Sequence, residues 1–184
     1  MFEMEVPFDH TTKTVRLEDK NFAGTLIGHQ NEFKCDKTQE ELIEDALDHP
    51  YDAPTLEELC AGKKDIVIIS SDHTRPVPSR VTMPIELRRI HAAAPDARVR
   101  ILVATGMHRP STHEELVAKY GEEIVANEEI VMHVSTDDAM MEKIGTLPSG
   151  GECIINKIAD DADLLLAEGF IEPHFFAGFS GSRK

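Results

Sequence analysis

The sequence predicts an α/β fold on a largely parallel sheet, with helices on both faces and short strands at the N-terminus. Three observations carry that expectation. Short, nearly continuous apolar runs (DIVIISS, RVRILVAT, DADLLLAEG) have the pattern of strands buried on both faces. Segments with helical spacing and capping signals lie between them. Each run also ends in a polar segment dense in Asp, His, Arg and Ser, where the ligands of such sheets bind.

The elements follow in order. Alternating, β-branched stretches in the first thirty residues suggest short strands or a hairpin. TQEELIEDALDH opens with a capping box, Thr38 with Glu41, and continues at helical spacing through Leu42, Ile43, Ala46 and Leu47. A second box, Thr55 with Glu58, starts a short helix. Residues 65–71 form a buried strand, and a helix is expected over 84–94, with Pro84 in its first turn. Residues 98–105 form the next strand, followed by a helix capped by Ser111 with Glu114 and ending at Gly121. EEIVMHVS reads as a third strand and 161–169 as a later one. GTLPSGGECIIN reads as a hairpin-like excursion between them. Strand, loop and helix repeated in this way give a Rossmann-like architecture.

Composition narrows the function. A length of 184 residues suits a single domain with a real core, and 41% hydrophobic with 29% charged residues is ordinary for a globular protein. The 34 acidic against 19 basic side chains give a formal charge of −15, which repels phosphate backbones and argues against nucleic acid as a partner. Cys35, Cys60 and Cys153 form no CxxC pair, so neither a zinc knuckle nor a disulfide framework is indicated. A cytoplasmic location is expected, without a signal peptide, and the apolar runs are too short to involve a membrane.

Three segments could carry chemistry. SDHTRPVPSR, residues 71–80, offers Asp72, His73, Thr74 and Arg75 on a proline-stiffened loop. It fits two readings equally: an anion site with Arg75 forked onto a phosphate or carboxylate, or a rigid turn in which Asp72 pairs with Arg75. ATGMHRPST, residues 104–112, sets His108 just beyond a strand end, where an imidazole can exchange protons near neutrality. EGFIEPHFFAGFSGSRK, residues 168–184, sets His174 and Lys184 on a ribbon of Gly, Phe and Ser. Lys184 could serve as phosphate partner, nucleophile or tail charge. The other histidines (His10, His29, His49, His91, His113, His133) lack metal-ligand spacing and read as structural or exposed.

DHTRPVPS, ATGMHRPST and EGFIEPHFFAGFSGSRK, in this order and each after a buried strand, closely resemble the N-terminal domain of the nickel-pincer lactate racemase family. The resemblance runs from about Asp65 to the terminus. It implies an isomerase that interconverts lactate enantiomers, or those of another 2-hydroxy acid such as malate, phenyllactate or a sugar acid. It implies Ni(II)-pyridinium-3,5-bisthiocarboxylate mononucleotide, the nickel-pincer nucleotide, as cofactor. By the same resemblance Asp72, His73, Thr74 and Arg75 lie against the cofactor, and Arg75 also grips the substrate carboxylate. His108 and His174 are the acid/base residues, and Lys184 tethers the cofactor. The nickel-ligating histidine falls beyond Lys184, so no metal ligand is expected in this chain. Ser182 stands where the family is expected to carry glycine. The chain is accordingly expected to be a single α/β domain, residues 1–184, the N-terminal part of a two-domain racemase, inactive without its C-terminal domain. The reading from another class is a non-catalytic nucleotide or anion-binding module.

Overall fold

A computed structural model describes residues 1–181, the side chains of Gln30 and Asn31 excepted. The chain divides into two compact units, Met1–Asp36 and Lys37–Lys184. The first is built on a hairpin of β1 (Phe2–Phe8) and β2 (Thr11–Leu17), in register from Phe2 opposite Leu17 to Phe8 opposite Thr11. Asp9 makes the tight reversal at φ 54°, the left-handed region that Asp tolerates better than most residues. Phe2 stacks on Phe22 with ring centroids 3.6 Å apart.

The second unit carries everything else. Helices α1 (Gln39–Asp48) and α2 (Leu56–Cys60) open with the expected capping boxes, Thr38 with Glu41 and Thr55 with Glu58. Then come β3 (Asp65–Ser71), α3 (Ser79–Ala93), β4 (Arg98–Ala104), α4 (His113–Tyr120), α5 (Glu122–Asn127) and β5 (Glu129–Met132). An antiparallel excursion of β6 (Met141–Thr146) and β7 (Glu152–Asn156) leads through α6 (Lys157–Asp160) to β8 (Leu164–Ala167). A two-residue ladder, β9 (Pro173–His174) with β10 (Gly178–Phe179), closes the described chain.

Strands β5, β4, β3 and β8 lie side by side in that order, all parallel. Alternation along each strand sorts the side chains. Ile66 and Ile68 of β3, with Val99, Ile101 and Val103 of β4, join Leu56, Met83, Leu87, Ile90, Tyr120 and Ile124 in one apolar cluster with α2 to α5. On the other face Val67 and Leu102 are also buried. The connection from β5 to β8 crosses from one sheet edge to the other, and right-handed crossover sends it over that second face.

Two boundaries differ from the sequence expectation. Helix α3 begins at Ser79, so Pro84 sits inside it and cannot donate a hydrogen bond to the Arg80 carbonyl. Side-chain contacts of the first turn, described below, hold that early start. The cap of α4 is Thr112 with Glu115, one residue later than expected, because the Ser111 hydroxyl lies 3.0 Å from His73 Nδ1. Gly121, at φ 93°, turns the chain between α4 and α5.

Arg89 of α3 is nearly buried and ties three helices together. Its guanidinium meets Glu57 of α2 at 2.5 Å and Glu44 and Asp48 of α1 at 3.0 and 2.8 Å. Removing this cation leaves three partly exposed carboxylates facing one another without compensation. Arg89→Ala is therefore expected to cost about 2 kcal/mol of unfolding free energy in urea titrations, between an exposed ion pair and a buried one. A loss below about 1 kcal/mol would mean that the cluster is an ordinary surface ion pair.

Candidate active site at the carboxyl edge of the sheet

The loops leaving β3, β4 and β8 meet at the carboxyl edge of the sheet. They enclose a cleft of about 590 Å³ whose walls include Asp72, Thr74, Arg75, His108, Glu168 and His174. Residues more than a hundred positions apart are thus brought to one cavity by strand order alone.

Asp72 is the organiser of one wall. It is 2% exposed. One carboxylate oxygen lies 2.5 Å from His108 Nδ1; the other accepts the Thr74 amide at 2.8 Å and the Thr74 hydroxyl at 2.6 Å. Burial pushes this carboxyl up, but the hydrogen bonds from Thr74 and His108 outweigh it and hold it below the usual range. An ionised Asp72 requires a proton on His108 Nδ1, which leaves Nε2 to exchange a proton with a ligand. His108 itself rides on a turn in which its amide donates to the Thr105 carbonyl at 2.9 Å and Gly106 takes φ 58°.

Arg75 does not pair with Asp72, which removes the rigid ion-paired turn from consideration. Its guanidinium donates to the Thr74 hydroxyl at 3.3 Å, and among the described residues no carboxylate lies within ion-pair distance of it. A cation left without a counter-ion in a cleft is suited to an anionic ligand.

His174 is held differently. Its Nδ1 accepts the backbone amides of Phe176 and Ala177 at 3.4 and 3.3 Å, so the proton of the neutral ring belongs on Nε2. The ring stacks on Phe175 and meets the edge of Phe176, with centroids 4.9 and 4.3 Å away. Ser180 ties the base of this ribbon, donating from its hydroxyl to the Phe170 carbonyl at 3.1 Å and from its amide to the Glu172 carbonyl at 2.9 Å. The two imidazoles of the cleft therefore present opposite Nε2 states, an acceptor on His108 and a donor on His174.

His73 turns away from this cavity, between the Ser111 hydroxyl and Glu115, whose carboxylate is 3.6 Å from Nε2. Lys184 lies outside the described residues.

Comparison with known proteins now places the chain. Residues 8–184 match the family described as the lactate racemase N-terminal domain. The chain belongs to that family. It is 62% identical over 184 residues to the lactate racemase of Lactiplantibacillus plantarum and 50% identical to that of Thermoanaerobacterium thermosaccharolyticum. Both matches take in all of this chain and 43% of the relative, so the chain spans less than half the length of the curated relatives it matches. The solved structure of the lactate racemase apoprotein from Thermoanaerobacterium thermosaccharolyticum superimposes with a TM-score of 0.86 at 48% identity, covering 99% of this chain and 42% of that one.

In this racemase-family domain no group of three His, Cys, Asp or Glu stands together as a metal site among the described residues. Nor is any described helix long and apolar enough to cross a membrane.

Sequence reasoning gave Glu168 no role, although it lines the cleft. Its oxygens accept the hydroxyls of Ser70 and Ser79 at 2.5 Å each and of Thr82 at 2.9 Å. On its other side Glu168 shares a second cavity of about 500 Å³ with Glu86 and Thr82. Burial, and then the charge of Glu168, push the Glu86 carboxyl up to about 7. A carboxyl raised on folding contributes stability at acid pH that is lost as pH rises through about 7. Glu86→Gln keeps the neutral shape. It is expected to melt like the parent near about pH 4 and at a higher temperature near about pH 8. Parallel melting curves at both pH values would show Glu86 to be solvated instead.

Proposed function

We propose that this chain is the N-terminal part of a 2-hydroxy-acid racemase acting on lactate, with the remainder of the active site supplied by a C-terminal domain. The observation that carries the reading is the single cleft lined by Arg75, His108 and His174. A guanidinium with no carboxylate partner among the described residues, and two imidazoles of opposite proton state, are what inversion of a hydroxy acid calls for.

The chemistry follows from the substrate. The proton on C2 of lactate is hard to remove because the neighbouring carboxylate is already anionic. Oxidation avoids that carbanion. Arg75 grips the carboxylate with two parallel hydrogen bonds and fixes C2 against the imidazoles. His108 Nε2 takes the hydroxyl proton, and Asp72 stabilises the imidazolium that results. A planar keto acid can then rotate about its bond to the carboxylate, exposing its other face. His174, entering this step as an imidazolium, returns a proton from Nε2 as the hydroxyl reforms on that face and is left neutral. For the mirror-image substrate the two histidines exchange roles, which is the reason for having two.

A nickel-pincer nucleotide, when bound, would supply a reversible acceptor for the hydrogen and electron pair leaving C2. The donor set fits such a group in part. Thr74, Arg75 and the surrounding loop could meet its phosphate, and Lys184 is proposed as its covalent anchor. A metal ligand from beyond Lys184 is part of the same proposal. His73, packed against α4, is not assigned a part in binding.

Two measurements on the full-length, cofactor-loaded protein test this. His108→Ala and His174→Ala are each expected to lower kcat for lactate racemisation by about 10² or more in both directions. A single histidine variant within about threefold of the parent would refute the two-base scheme. Lactate labelled with deuterium at C2 is expected to keep its label through racemisation in ordinary water. Washing-out of the label would show that C2 loses a proton to solvent and that the hydride scheme is wrong.

A further inference from the structure

Ser70 and Ser79 are both fully buried, and they stand at the two ends of loop 71–78, which carries Asp72, Thr74 and Arg75. Both donate to the same oxygen of Glu168, Oε1, each at 2.5 Å. The other oxygen, Oε2, accepts Thr82 one turn into α3. Ser70 in turn accepts the buried Tyr120 hydroxyl at 2.7 Å, so the network reaches α4. The Glu168 amide donates to the Ile69 carbonyl at 3.0 Å, which sets this residue in register with the end of β3.

We infer that Glu168 is a positioning residue: its carboxylate closes the base of loop 71–78 and so fixes Arg75 and the Asp72–His108 pair for the reaction. The assignment rests on the racemase reading for its kinetic consequence, though not for its geometry. Three of the carboxylate's about four acceptor sites are taken by the hydroxyls of Ser70, Ser79 and Thr82, so Glu168 acts through the loop and the start of α3. From Glu168 the chain continues directly into the ribbon bearing His174. One side chain therefore holds the anion-binding loop against the strand that leads to the second imidazole.

The test uses the full-length protein with Glu168→Ala, Glu168→Gln and Ser79→Ala. Backbone hydrogen exchange is followed over 72–77 and over β4. Racemisation kinetics are measured after cofactor loading. In Glu168→Ala the Thr74 and Arg75 amides are expected to exchange about tenfold faster while β4 is unchanged, the pattern of local rather than global opening. KM for the hydroxy acid is expected to rise about tenfold through Arg75, and kcat to fall about tenfold through the Asp72–His108 pair. Ser79→Ala, which removes one of the two ties, should show the same pattern at a smaller size; it carries the test if Glu168→Ala does not fold. Glu168→Gln keeps an oxygen able to accept both serines and should stay within about threefold of the parent. Unchanged exchange and KM in both alanine variants would overturn the assignment. So would a glutamine variant as damaged as the alanine one, since charge and not the clamp would then matter. Should the parent racemise no 2-hydroxy acid, the proposed function falls, and the exchange of the loop amides alone decides whether Glu168 clamps the loop.

Discussion

The site depends on a buried carboxylate that stays ionised. Asp72 sits at the end of β3 with almost no solvent contact, an environment that by itself would favour its protonated form. Two groups reverse that preference: Thr74, two residues along the same loop, and His108, delivered from the neighbouring parallel strand. His108 could not do so unless β3 and β4 ended side by side. Ser71 is paired with Ala104 in the sheet, and each loop leaves from there. The apolar cluster between sheet and helices is thus the means by which a proton is fixed on a particular nitrogen of His108.

Much of the fold was legible because its signals are local. Thr38 with Glu41 and Thr55 with Glu58 satisfy one another within a single turn, so four residues of sequence contain the whole interaction. The buried strands declared themselves through unbroken apolar runs. The start of α3 was different. Ser79 and Thr82 are held by Glu168, almost ninety residues away, and no window around Pro84 contains that partner. Ser111 was the cap expected for α4; Thr112 takes that place, and His73 engages the Ser111 hydroxyl.

The site divides along the same line. Polar residues at strand ends could be picked out one by one, and Asp72, Thr74, Arg75, His108 and His174 do line one cleft. Their pairings could not be read in advance. Asp72 and Arg75 invited each other by proximity in sequence, yet Asp72 turned to His108 and left the guanidinium without a counter-ion among the described residues. Glu168 follows an apolar strand, a place where a glutamate ordinarily faces water. Its partners, two serines from β3 and α3, reach it only in the folded chain.

The two imidazoles are also mounted differently. His108 is braced by a buried acid anchored in the core sheet, whereas His174 rests on a ladder two residues long, among phenyl rings that are largely open to solvent. Under the racemase function proposed above, the methyl and hydroxyl groups of mirror-image guests swap places between two walls. A lightly tethered His174 side would let one pocket receive both hands, with the His108 side keeping the reference frame.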